Sequence, residues 1–203
     1  MIRLLELYPD HLNLNGDRGN LLVLQRRLEW SAIEVSVTSY QPGDSLSGQA
    51  PDFVLLGHGS PAAWRQIYAD LARIAPTLQT WIDGPTQMLA VSSGFAALHG
   101  LLRGLPSEVN KVPRISKFEV AEFADEQIVG YKNTDLDLPT IERFGNLIGS
   151  VLHGPLLAKN PKLSDEILNG ILGNGKSENI KVSETLKDYV EDARKLAIEL
   201  SSE

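Results

Sequence analysis

Two short segments carry side chains whose type and spacing could do chemistry, and a third could assist them. In Ala90-Val91-Ser92-Ser93-Gly94 an apolar run ends at a serine with small residues two before and two after it. This is the pattern of a nucleophile elbow, where a strand turns sharply into a helix and the crowded turn tolerates only small flanks. The helix that follows would bring the Ser93 N–H and its own positive end to a developing oxyanion. The same residues also describe an ordinary helix N-cap serine, and spacing alone favours that plainer reading. His153 closes another apolar run and precedes Gly154-Pro155, a rigid turn at the sheet edge; as a general base its imidazole would need to reach Ser92 within hydrogen-bond distance. A partly exposed loop histidine is its plain alternative. Gly57-His58-Gly59-Ser60 is a third small-residue turn at a strand end, with His58 either a ligand-loop residue or a tolerated turn position.

These segments need a scaffold, and the order of elements supplies one. Strands are expected over 2–8, 34–40, 52–56 and 88–91, the second with Val35 and Val37 on one face. A helix carrying Leu21, Leu24, Leu28 and Ile33 separates the first two strands. The stretch 41–51 reads as a loop. Pro61 suits the first turn of a helix running to about residue 74, and a second helical piece follows Pro76. Another helix runs from the elbow through residue 98. Alternating strands and helices predict a mostly parallel sheet covered on both faces, with ligands beyond the carboxyl ends of its strands. In the second half, 117–123 and 127–131 read as paired strands, 146–152 as one further strand, and 163–172 as a short helix stopped by Gly173-Asn174-Gly175. Residues 183–200 carry Leu186, Tyr189, Val190, Ala193, Leu196, Ala197 and Leu200 at the spacing of an amphipathic helix.

Composition narrows the function. The 203 residues, 42% hydrophobic and 22% charged, are enough for one domain with a sizeable core. Nineteen basic against 26 acidic residues give a net charge of −7, which disfavours a globally basic surface for nucleic acid. The absence of cysteine removes disulfides, thiolate metal sites and any thiol nucleophile. Four dispersed histidines with no i, i+4 pair disfavour a catalytic metal; His11 and His99 fit no pattern. Asn15-Gly16-Asp17-Arg18-Gly19-Asn20 lacks the third glycine and the lysine of phosphate-binding loops, so it is a weak nucleotide signal. The start has neither the apolar core nor the cleavage site of a signal peptide, and no run of about 18 apolar residues occurs; a cytoplasmic protein is expected.

Taken together, Leu12 to Asn20, the Gly57 to Ser60 loop, the elbow, and Val151-Leu152-His153-Gly154-Pro155-Leu156-Leu157-Ala158-Lys159-Asn160-Pro161 resemble the cobyric-acid-synthase-like (CobB/CobQ-like) class I glutamine amidotransferases. Within that group they resemble the glutaminase subunits of lipid II isoglutaminyl synthases. The resemblance covers residues 2–172 in collinear order. It implies a flavodoxin-like three-layer α/β domain over 1–172, with 173–203 as linker and C-terminal amphipathic helix. It further implies hydrolysis of L-glutamine by a Cys–His pair. The ammonia passes to a Mur-ligase-like synthetase subunit, which binds ATP and amidates the cell-wall stem peptide; this chain itself needs no cofactor. On this resemblance Ser92 stands at the nucleophile and His153 at the catalytic histidine. Gly59 and Ser93 belong to the oxyanion loop and elbow, and Arg114 lies near the glutamine-binding arginine.

The departures cluster at the same place. The family's Cys-Gly-Gly-Tyr-Gln reads Ser92-Ser93-Gly94-Phe95-Ala96, its central loop glycine reads His58, the acidic residue after the loop serine reads Pro61, and a Glu-Asn-His element reads Lys132-Asn133-Thr134. A single engineered change would explain Ser92 alone; changes at His58, Ala96 and Thr134 as well point to natural drift away from glutaminase chemistry. The expectation is a glutamine amidotransferase-like subunit of weak or no activity. The alternatives are a Ser92–His153 serine hydrolase and a non-catalytic binding or regulatory protein whose C-terminal helix docks a partner.

Overall fold

The computed structural model describes residues 1–46, 48–103, 111–173 and 180–201. Its main sheet has six strands in the order β2-β1-β3-β4-β8-β7. Strands β1 (Ile2–Leu7), β2 (Val35–Tyr40), β3 (Phe53–Leu56), β4 (Gln87–Val91) and β8 (Leu147–Ser150) run parallel, and β7 (Ile141–Phe144) closes the edge antiparallel to β8.

Side chains alternate along each strand, so each central strand feeds two cores. Leu5, Leu7, Val54, Leu56, Met88 and Ala90 pack beneath α2 (Pro61–Asp83) and α3 (Ser93–Arg103). Leu4, Phe53, Leu55, Leu89, Val91 and Ile148 face α1 (Arg18–Trp30), α4 (Leu156–Lys159) and α5 (Pro161–Leu172) on the other side. These near-continuous apolar strands are what burial on both faces demands. A second, antiparallel sheet joins β5 (Lys111–Phe123), β6 (Glu126–Leu136) and the two-residue β9 (Leu152–His153), and α6 (Glu184–Ser201) follows.

The structure corrects four expectations. Helix α2 is continuous through Pro76, because Leu71, Ile74, Leu78 and Ile82 keep one buried stripe, and that burial outweighs the roughly 3 kcal/mol an interior proline costs. Helix α1 stops before Ile33: Ala32 is left-handed (φ 57), its N–H bonds Glu29 O, and the Ile33 N–H bonds Leu28 O, the paired closure that ends many helices. The apolar run 146–152 is two strands in two sheets. The chain leaves the main sheet after Ser150, the Val151 N–H and the Ser150 hydroxyl both donate to Thr140 O, and Leu152 then pairs with Lys132 of β6. The expected apolar face of α6 does not pack as one surface: Ala197 is buried, while Tyr189 and Leu196 are 68% and 56% exposed. Gly173 (φ 90) ends α5; Asn174 and Gly175 lie outside the described residues, as does most of the expected linker.

Arg194 ties helix α6 to β6 and to the junction of α4 and α5. Its guanidinium donates to Asn160 Oδ1 at 2.7 Å and to the Gln127 and Lys159 carbonyls.

Candidate active site

The carboxyl ends of β1, β3 and β4 come together where the motifs predicted, and glycines make the approach possible. A Cβ on Gly94 would lie 2.5 Å from Gly57 O, so the start of α3 sits directly on the end of β3. A Cβ on Gly59 would meet Leu12 Cδ2 at 2.5 Å, and one on Gly19 would meet Pro155 Cγ at 2.5 Å. The opening motif therefore clasps both other segments. Asp17 Oδ2 accepts the His58 N–H at 2.7 Å, and Asn20 Oδ1 accepts the Leu157 N–H at 2.9 Å.

Ser92 has the left-handed backbone (φ 50) that an elbow requires, a conformation unfavourable for a side chain other than glycine or asparagine. The strain is held by two bonds: the Ser92 N–H donates to Ser150 O at 2.7 Å, and Ser92 O accepts the Ala96 N–H at 2.9 Å. Ser92 is only 2% exposed.

Both ring nitrogens of His153 are engaged by residues other than Ser92. Asn15 Nδ2 donates to His153 Nδ1 at 2.7 Å, and His153 Nε2 lies 2.9 Å from Asn133 O. With the Asn15 amide nitrogen turned to Nδ1 and the Asn133 carbonyl at Nε2, the contacts fit a neutral imidazole with its proton on Nε2. Burial pushes its pKa down; the bond to Asn133 O opposes this and the nearby Arg114 charge adds to it. The carbonyl of Asn133 thus orients the ring as a triad carboxylate would, and the nitrogen left to act as base is capped by Asn15.

The residues that do meet are Ser93 and His58. Ser93 Oγ lies 2.9 Å from His58 Nδ1, and it accepts the Gly59 N–H at 3.0 Å and the Trp64 indole N–H at 2.7 Å. The Ser93 N–H points at His58 Nδ1 at 3.4 Å, and Gly59 O is 3.2 Å from the hydroxyl. The His58 ring stands edge-on to His153 with centroids 4.8 Å apart. Burial, then the neighbouring His153 and Arg114, push the His58 pKa down to about 4, so both rings are uncharged near neutrality. Arg114 reaches the same region from β5, its Nε donating to Asn133 Oδ1 at 2.9 Å.

Sequence reasoning brought Ser92, Ser93, Gly59, His153 and Arg114 to one place but did not anticipate their pairing. It missed Asn15, Trp64 and Asn133 as contacts. Asn15 was visible inside a motif; Trp64, one turn into α2 beyond the loop, carried no signal. Among the described residues no group of three or more His, Asp or Glu side chains is placed to hold a metal ion, and no helix is long and apolar enough to cross a membrane.

The three-layer arrangement is the class I glutamine amidotransferase fold: a glutamine amidotransferase from Thermotoga maritima superposes with a TM-score of 0.51 over 98% of this chain and 94% of that one, at 14% identity. In sequence the chain resembles the subunit GatD of lipid II isoglutaminyl synthase (glutamine-hydrolyzing) from Staphylococcus aureus (strain N315), with 24% identity over 193 residues, 78% of this chain and 79% of that protein. No family model matches the sequence.

Proposed function

We propose that this chain is a glutaminase-type subunit that retains the amidotransferase scaffold and has lost glutamine hydrolysis. The observation that carries the reading is the capped base. A serine hydroxyl, unlike a thiol that is already a few per cent ionised, needs a placed base to attack at all. Ser92 has none, because Asn15 takes His153 Nδ1 and Asn133 O takes Nε2.

The Staphylococcus aureus relative is named as a synthase subunit, which supports a partner of the same kind here. That partner is a Mur-ligase-like synthetase, which binds ATP and amidates a cell-wall precursor in the cytoplasm. The chain itself carries no cofactor, with residues 1–172 as the amidotransferase-like domain and 173–203 as an appendage. Its role in the pair is then structural or regulatory, with Arg114 left to hold a carboxylate such as that of L-glutamine. Co-expression with the synthetase subunit of the same organism tests this. A stable 1:1 complex in size-exclusion chromatography with light scattering is expected; separate elution of the two chains contradicts the reading.

A second reading, a serine hydrolase, has one observation in its favour, the 2.9 Å contact between Ser93 and His58. The chemistry is unfavourable. A base held at about pKa 4 takes up a proton poorly at neutral pH, and two N–H donors already occupy the lone pairs of Ser93 Oγ. A fluorophosphonate probe should leave the protein unlabelled; labelling lost in His58→Ala or His153→Ala would favour the hydrolase.

A further inference from the structure

An amide hydrolase of this design needs two backbone N–H groups aimed at the carbonyl oxygen of its substrate. On the elbow geometry these are the N–H groups of Gly59 and Ser93. Both are directed at side chains of the protein itself. The Gly59 N–H donates to Ser93 Oγ at 3.0 Å, and the Ser93 N–H points at His58 Nδ1 at 3.4 Å. The two side chains are in turn bonded to each other at 2.9 Å, and the Trp64 indole anchors Ser93 at 2.7 Å. With glycine at both positions neither side chain would be present and both donors would be open.

We infer that His58 and Ser93 form an internal stopper that fills the oxyanion position of the elbow, so that restoring a thiol at residue 92 does not restore glutamine hydrolysis. The inference rests on the reading that hydrolysis has been lost, and it adds why the loss is not reversed at one position. The two side chains act as a pair. Removing Ser93 alone frees the Gly59 N–H but leaves the imidazole over the elbow. Removing His58 alone leaves Ser93 Oγ on the Gly59 N–H. Losing one oxyanion donor typically costs about 100- to 1,000-fold in rate, so opening both should be worth at least about 100-fold.

The experiment compares glutamate release from L-glutamine by wild type, Ser92→Cys, Ser92→Cys/Ser93→Gly, Ser92→Cys/His58→Gly and the triple variant, each checked for folding by circular dichroism. The expected result is a triple variant at least about 100-fold faster than Ser92→Cys, with a gain exceeding the product of the two partial openings. Amide hydrogen exchange in Ser93→Ala, which keeps a helix-forming residue at the start of α3, gives a readout that does not depend on the glycine variants. There the Gly59 N–H should exchange about tenfold faster than in wild type, having lost its acceptor. The stopper is overturned if Ser92→Cys alone equals the triple variant, if the folded triple variant gains nothing, or if Gly59 exchange is unchanged. Turnover by wild type that depends on Ser92 would instead overturn the loss of hydrolysis itself, and the stopper with it.

Discussion

Asn15 Nδ2 donates a 2.7 Å hydrogen bond to Nδ1 of His153, 138 residues further along the chain. The bond joins the opening motif to the His153-Gly154-Pro155 turn and fixes both the tautomer and the direction of the imidazole. It also takes the one lone pair that a general base at this position would use. A single contact therefore joins two distant motifs and, on the function proposed above, occupies the base.

That contact can be titrated. A donor aimed at the neutral imidazole favours the uncharged form, so Asn15→Ala should raise the His153 pKa. An NMR titration of the ring resonances measures it. A pKa unchanged from wild type would mean that Asn15 does not cap the ring in solution.

Acid stability should depend on two groups of opposite sign. His58 has a folded pKa of about 4 against an ordinary 6.5, so its contribution is fully present above pH 6.5 and is lost as the pH falls toward 4. Asp17, raised by burial to about 6 from 3.8 although the His58 N–H pulls it down, acts in reverse: the folded state takes up the proton first and gains stability between pH 6 and 3.8. Between pH 7 and 4.5, His58→Gln should therefore lose less stability than wild type and Asp17→Asn more. Urea midpoints at the two pH values decide it, and the same slope in all three proteins would contradict the assignment.

Gly19 is required by packing against Pro155 rather than by its backbone. Gly19→Ala puts a methyl group 2.5 Å from Pro155 Cγ, an overpacking expected to cost about 1–3 kcal/mol. A urea midpoint equal to that of wild type would show that the turn can retreat without penalty.

The C-terminal helix should depend on Arg194. Its bonds to Asn160, Lys159 and Gln127 link α6 to the residues that hold β6, since Asn160 also accepts the Val129 N–H at 2.8 Å and donates to Val129 O. Arg194→Ala should lower stability by about 1.5–3 kcal/mol, the worth of charged hydrogen bonds, and speed proteolysis within α6. Unaltered cleavage would mean that apolar contacts alone hold the helix.

The central parallel strands were legible because burial on both faces leaves unbroken apolar runs, and Pro61 announced α2, where the Ser60 hydroxyl accepts the Ala63 N–H at 3.2 Å; the antiparallel edge strand β7 was not expected. The passage of the chain between sheets at Val151 was not legible. Residues on either side of it are equally buried, so the run 146–152 has no change of period to mark the switch. In the site, residue types marked the elbow, the glycine loop and the histidine turn as candidates, although spacing alone favoured a plain N-cap at Ser92. Pairing across the chain left no such trace. His58 and Ser93 each read as a separate departure, and only their 2.9 Å contact makes them one feature.

Glutamate release from L-glutamine, measured for wild type beside Ser92→Ala with the synthetase subunit present, tests the central claim most directly. A scaffold that has lost hydrolysis predicts the same background rate for both proteins. Turnover by wild type that disappears in Ser92→Ala would contradict it, because the buried serine would then be finding a base despite Asn15.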